Sequence, residues 1–410
     1  MKMKKAISIL MAVCLLLSLC ACSGGTTNTD AAESDNKENL QQSQTDDVEN
    51  TDAAESDNKE NVQQSQTDDV ENTDAEDYEV TDLMGRTVTI PGNTDAYACI
   101  GPGALRLYCY VADTAELVGV ESVEQEWGDD GRPYNMAIPN VDELTVIGPG
   151  GPGNAPDAEL LYVAAPDVIF SMYNSETSSL DELQEKTGIP VVALSYGNSE
   201  VFDTAIYDSL SLIGQVTGHG DRAEEVINYM KDIETDLNTR TAEIENKPLV
   251  YLGCQSNRGS HGIESTVGNY VLFEALNIRN AAAEAGIPEY AMIDKEQILE
   301  MDPDAIIVDA GGYQILCDDY SANPDFYNSL TAVKNGQIYM QMPYNYYYTN
   351  LEIAIADAYY IGSVVYPEAF SDVVIGEKFD EISNFFLGID SYQRISDLYF
   401  GGYQTVSLEK

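Results

Sequence analysis

The stretch Asp157-Ala-Glu-Leu-Leu-Tyr-Val-Ala-Ala-Pro-Asp-Val-Ile-Phe170 returns 137 positions later as Asp294-Lys-Glu-Gln-Ile-Leu-Glu-Met-Asp-Pro-Asp-Ala-Ile-Ile307. Each copy reads as a short helix, then Pro-Asp as a corner, then β-branched or aromatic residues entering a buried strand. Each also places one glutamate, Glu159 or Glu296, seven residues before its proline. A chain that makes one helix–corner–strand unit twice is expected to hold two similar lobes. Two lobes offer a cleft, and two equivalent glutamates offer a symmetric contact surface.

Working outward, Asp82-Leu-Met-Gly-Arg-Thr-Val-Thr-Ile-Pro91 reads as a hairpin around Met84-Gly85, and residues 96–100 as a strand leading through Gly101-Pro-Gly into a helix. From Asp221 the apolar positions Ala223, Val226, Ile227, Met230, Ile233, Leu237 and Ala242 keep helical spacing, without Gly or Pro, to about Asn246. Strands alternate with helices on both sides of it, which implies parallel sheets. The expected fold is therefore α/β: two Rossmann-like βα lobes, residues 79–219 and 248–410, joined by one long spacer helix, 220–247, with a ligand cleft between them. A single stiff connection predicts small opening and closing motions.

The amino terminus reads as an address. Lys2, Lys4 and Lys5 precede a mainly apolar stretch from Ala6 to Leu19, too short to span a bilayer but suited to a signal-peptide core. It ends in Leu19-Cys20-Ala21-Cys22, the pattern of bacterial lipoprotein processing. Residues 1–21 are thus expected to be removed and Cys22 to carry lipid; the rival reading is an ordinary secretory signal with an incidental cysteine. Residues 22–78 contain a 22-residue acidic unit, first at Thr29 and again at Thr51. It has almost no apolar residues to offset the entropy of ordering, so a disordered tether is expected, with an end-to-end reach of roughly 40 Å. Of the cysteines beyond the leader, Cys99, Cys109, Cys254 and Cys317 show no metal-knuckle spacing and read as buried small hydrophobes or one exported disulfide. A formal charge of −50 excludes nucleic acid as a partner and favours a neutral or cationic ligand, unless local arginines override the field.

The hairpin, the loop Ile100-Gly-Pro-Gly-Ala-Leu-Arg-Leu, the two Pro-Asp units and the spacer helix, in that order, resemble the substrate-binding proteins of ABC importers that capture iron–siderophore complexes, haem and cobalamin. The likeness covers most of the folded chain. It implies a ligand held between lobes by loops at the carboxyl ends of the strands. It also implies an ABC permease and its ATPase as partners, with a glutamate on each lobe pairing with permease arginines; by position these are Glu159 and Glu296. The bland reading of both is a solvated helix-start acid that favours the helix dipole.

Fold and resemblance together nominate the strand-end loops. Tyr344-Asn-Tyr-Tyr-Tyr348 is the densest aromatic run; Tyr134, Tyr173 and Tyr313 lie in separate loops, and Trp127 opens the loop that ends in Tyr134. Rigid aromatics with hydroxyls suit a flat or macrocyclic chelate, so Tyr344, Tyr346, Tyr347 and Tyr348 are ligand-facing candidates, with one or two expected to pack in the core instead. Arg132 and Arg258 are candidates for anionic oxygens, or for surface ion pairs of small value. His261 is either a ligand to a chelated metal or a hydrogen-bonding loop residue. No intrinsic cofactor is expected; the bound compound is read as a ferric siderophore, with haem or a corrinoid next and bare ferric iron on tyrosines after that. An exported enzyme finds no nucleophile, zinc or phosphate motif to support it. The expected product is a monomer, lipid-anchored on the outer face of the bacterial cytoplasmic membrane.

Overall fold

The structure, a computed structural model, describes residues 75–198 and 201–408. The signal peptide, Cys22 and nearly all of the tether lie outside the described residues.

The described chain opens with the hairpin Tyr78–Thr81 and Thr87–Ile90, paired antiparallel. It is tied down where Leu83 N–H donates to the Ala193 carbonyl (3.1 Å) and Asp82, paired with Arg86 at 3.1 Å, accepts from Ala193 N–H. The first lobe is a parallel sheet of Tyr97–Ile100, Val168–Ser171 and Val191–Ala193, with Val168–Ser171 in the centre. A bridge from Tyr97 to Leu117 extends it toward the short parallel pair Gly119–Val120 and Thr145–Val146. The second lobe has five strands in the order Arg279–Asn280, Leu249–Gly253, Ala305–Asp309, Ile338–Gln341 and Gln404–Thr405. Its first four are parallel; the last closes the edge antiparallel.

Both copies of the repeated unit fold alike, for local reasons. Asp157 caps the helix Ala158–Ala164, accepting from the N–H groups of Glu159 and Leu160 at 3.0 Å. Asp294 caps Lys295–Met301 in a reciprocal box with Gln297. Each helix buries a single residue at the same offset, Leu161 or Ile298, and each ends in a left-handed residue before its proline: Ala165 (φ 50) or Asp302 (φ 40). Each then enters an interior strand of its sheet.

The spacer helix runs Gly220–Thr241, burying Ala223, Val226, Met230, Ile233 and Leu237. It ends earlier than its apolar pattern suggested, and it does not link the lobes alone. Ala104–Val111, Thr204–Thr217, Leu351–Val365 and Ile375–Leu387 pack around it, and one core runs from Tyr97 and Phe170 through Val226 and Met230 to Ile355 and Phe386. Smaller cores, around Leu161 and Ile169 in one lobe and Ile298 and Ile306 in the other, lie under the repeated helices. The lobes are thus joined through a shared helical layer and not through one rod. Among the described residues, Cys99, Cys109, Cys254 and Cys317 are free thiols, with Cys99 and Cys254 buried.

Candidate functional site

The cleft is built where strand ends of both lobes face the aromatic loop. After Tyr97–Ile100 the chain turns through Gly101 and Gly103, both left-handed; a Cβ on Gly103 would sit 2.7 Å from the Tyr196 ring and 3.0 Å from Tyr348 Cβ. Only glycine permits this approach. The Gly101 N–H donates to Glu121 Oε2 (2.9 Å), and the Tyr347 hydroxyl, coming from the other lobe, donates to the same oxygen (3.3 Å). Tyr347 in turn accepts from Gly151 N–H at 2.9 Å, so one phenol joins the glycine loop, the carboxyl and the aromatic run.

Arg106 fastens that run from beneath. Fully buried on the helix Ala104–Val111, it donates to Asn350 Oδ1 (2.9 Å) and to the carbonyls of Tyr347 (3.0 Å) and Tyr346 (2.7 Å). Asn350 donates onward to the Gly131 and Tyr344 carbonyls. Tyr347 and Tyr348 both adopt left-handed backbone (φ 50 and 78), a conformation that bulky residues hold only when their surroundings impose it. The Arg106 contacts supply that imposition.

Trp127 sets its ring edge-on to Tyr346 (centroids 6.1 Å) and Tyr347 (5.2 Å). Together they form a half-buried wall across the lobe junction. Beside it, a hollow of about 630 Å³ is lined by Pro102, Gly151, Asn154, Met172 and Tyr173 on the first lobe. A second, of about 400 Å³, is lined by Asn198, Gln255, Asn257, Tyr290 and Tyr344.

Burial pushes the Glu121 carboxyl up to about 7, while the Gly101 N–H pulls it down. Its Oε2 is satisfied, but Oε1 is buried without a partner. The Tyr173 hydroxyl stands close enough to lower that pKa, yet is aligned for no hydrogen bond.

Other candidates are placed differently. Arg132 and Tyr134, expected to touch ligand, are sealed inside the first lobe: Arg132 pairs with Glu124 at 2.5 Å and Tyr134 donates to the same carboxylate at 2.9 Å. The loop closes around Glu124 because a buried carboxylate needs these donors, so both residues are structural. Tyr344 stacks on Tyr270 (6.4 Å) and Tyr348 packs at a tilt against Tyr196 (4.6 Å), which makes them the packing members of the run. Tyr313 lies edge-on to Phe400. His261 Nε2 donates to the Asn257 carbonyl (2.8 Å), the loop role of the two readings. Among the described residues Arg258 is exposed with no ion pair, and no three His, Cys, Asp or Glu side chains converge to hold a metal. Glu159 and Glu296 are both exposed, each at the second position of its helix.

Two residues of this site were not anticipated. Arg106 left a signal, a single charge inside the apolar run Ala104-Leu-Arg-Leu-Tyr-Cys-Tyr-Val111. Glu121 left none, being one of 70 acids.

Residues 98–344 match the model of the periplasmic binding protein family. The molybdate-binding protein MolA of Haemophilus influenzae is 23% identical over 323 residues, covering 72% of this chain and 87% of that one. The Fe(3+)-citrate-binding protein YfmC of Bacillus subtilis is 25% identical over 189 residues, 46% of this chain and 58% of its own length. Among solved structures, a periplasmic solute-binding protein of Veillonella parvula superposes with a TM-score of 0.61 at 20% identity, covering 79% of this chain and 96% of the other. MolA bound to molybdate gives 0.58, covering 77% and 99%. The chain belongs to the periplasmic binding protein family. It is a substrate-binding protein of an ABC transporter and not an enzyme, which implies a permease and an ATPase as partners. No helix among the described residues is long and apolar enough to cross a membrane.

Proposed function

We propose that this chain is a lipid-anchored receptor, attached through Cys22 outside the cytoplasmic membrane, which captures a ferric siderophore as a monomer and delivers it to the permease through Glu159 and Glu296. The observation that carries the ligand reading is the aromatic wall of Trp127, Tyr346 and Tyr347 beside a hollow of about 630 Å³. Such a wall stacks on a flat or macrocyclic chelate while its hydroxyls orient it. Bare ferric iron fits less well. It would need phenolates, and burial pushes the phenols of Tyr173 and Tyr347 far up, keeping their protons on. Haem and corrinoids are the second reading, because the same wall can stack on either.

Trp127 is the chain's one tryptophan and lies in this wall, so intrinsic fluorescence reports on the cleft. Titration with ferric chelates is expected to quench it, with chelator-free ferric iron or molybdate leaving it unchanged. Native mass spectrometry of protein from its own host then separates siderophore from haem or corrinoid. Quenching by the bare ions alone would overturn the reading.

A further inference from the structure

The cleft wall is fastened unequally at its two ends. Tyr346 and Tyr347 are held from beneath by Arg106, which is fully buried. Trp127 instead opens a turn, Gly128-Asp-Asp-Gly131, whose two glycines are both left-handed (φ 63 and 68). Within the first lobe, Arg132 donates to the Gly128 carbonyl. The two aspartates are met from outside by Arg394, on the helix Tyr392–Leu398, whose Nη2 donates to Asp129 Oδ1 (3.0 Å) and Asp130 Oδ1 (2.7 Å). That helix is itself tied down. The Ser391 and Ser383 hydroxyls hydrogen-bond at 2.6 Å in the interior, and Tyr392 N–H donates to Asp380 (2.8 Å). The chain then runs into Gln404–Thr405, the edge strand of the second-lobe sheet. On the way, Tyr399 brings its hydroxyl up to Gly131, where a Cβ would stand 2.6 Å from it.

We infer that Arg394 is a positioning residue for the cleft wall. Reaching across from the carboxyl-terminal helix, it holds the turn that carries Trp127 against Tyr346 and Tyr347, in a grip that salt weakens. Arg394 and both aspartates are partly exposed. Their attraction is therefore screened, with a range of about 10 Å at 0.1 M salt and about 3 Å at 1 M. The Arg106 end of the wall is buried and carries no such dependence. Without Arg394, Asp129 and Asp130 would face Asp397, which also lies in the arginine's field, and like charges repel. Exposed ion pairs add little to the stability of a fold. What this one sets is where Trp127 stands, so the wall yields at one end only. The inference does not depend on which compound the cleft takes.

The test needs no ligand. Trp127 is the chain's single tryptophan, so acrylamide quenching of the full chain reads how far its ring is shielded. Hydrogen exchange at the Trp127 and Arg132 amides, bonded to the Val123 and Asp129 carbonyls, reads opening of the turn. In wild type, raising salt from about 0.01 M to about 1 M is expected to strengthen quenching and to speed exchange roughly two- to fivefold, the range one exposed pair can shift. Arg394→Ala should show at low salt what wild type reaches at high salt, and respond to salt no further. Arg394→Lys should keep most of the wild-type response. The double variant Asp129→Asn with Asp130→Asn should match Arg394→Ala from the other side, and it decides the matter if Arg394→Ala does not fold. Thermal midpoints should stay at the wild-type value. Wild-type quenching that ignores salt, or variants that keep the wild-type response, overturns the inference. So does loosening that comes only with a lower thermal midpoint, since that is loss of fold and not of position.

Discussion

The two copies of the helix–corner–strand unit agree inside and differ outside. Both have a capping aspartate, an exposed glutamate at the second helical position, one buried aliphatic residue, and a left-handed residue before proline. The surfaces diverge. The first copy exposes Tyr162 (65%) and Val163 (76%), where the second has Leu299 (39%) and the charged Glu300. At the corner, Asp302 accepts from Thr331 N–H and Oγ1, both at 2.8 Å, whereas Ala165 has nothing to offer a neighbour. The conserved geometry is thus carried by caps and corner residues, and the surface between them is free to specialise. The first copy is the more apolar of the two.

That contrast makes the docking assignment asymmetric. Glu159→Lys with Glu296→Lys is expected to abolish uptake of the ligand by whole cells, while Trp127 quenching gives an unchanged affinity. Between the single variants, Glu159→Lys should cost more, because it disturbs the copy that also presents Tyr162 and Val163. Equal losses would break the comparison. Uptake that survives the double reversal would remove docking from both glutamates.

The lobes also differ in a buried carboxyl at each cleft face. Burial raises Glu121 from 4.5 to about 7, and Asp309, which accepts from Gly311 and Ser256 N–H groups, from 3.8 to about 6. Each group holds its proton more tightly in the folded state. Its contribution to stability is therefore complete below the unfolded pKa and lost as pH rises through the folded one. Glu121 acts between pH 4.5 and about 7, and Asp309 between 3.8 and about 6. Each is worth on the order of 3 kcal/mol at most. Thermal denaturation of wild type across pH 4 to 8 should show stability falling with rising pH from these groups. Glu121→Gln should flatten the upper part of that fall, and Asp309→Asn the lower. A profile that Glu121→Gln does not alter would mean that this carboxyl stays ionised.

How legible each part was follows from how local its cause is. The repeated units were readable because a Pro-Asp corner, a cap and a strand of β-branched residues act within 14 positions. The spacer helix was readable from its period, but not the helices Leu351–Val365 and Ile375–Leu387 as its partners, since no pattern in one segment names the segment it will meet. The strand Gln404–Thr405, which closes the second sheet antiparallel, escaped for the same reason. In the cleft, Trp127, Tyr346 and Tyr347, whose rings the structure brings together, were nominated by residue type alone. Arg132 was misjudged because its partner Glu124 reaches it only after the loop folds back, and a lone arginine in a loop looks the same free or paired. Glu121 was invisible: its burial and its contact with Tyr347, 226 positions away, exist only in three dimensions.

The smallest effect tests the corner itself. A left-handed alanine is strained by its Cβ, whereas glycine adopts that conformation freely. Ala165→Gly should therefore raise stability by about 1 kcal/mol, less the extra entropy glycine gives the unfolded chain. Asp302→Gly relieves the same strain at the equivalent position. It also removes both hydrogen bonds to Thr331, interactions strong enough to hold the Asp302 carboxyl below the usual range. Losing two hydrogen bonds to a charged acceptor outweighs the relief, so Asp302→Gly should lower the thermal midpoint where Ala165→Gly raises it. Opposite signs at matched positions would establish that one geometry is held in two ways, by tolerance of strain in the first lobe and by a side-chain anchor in the second. Equal signs would mean that the Asp302–Thr331 contact contributes little in solution.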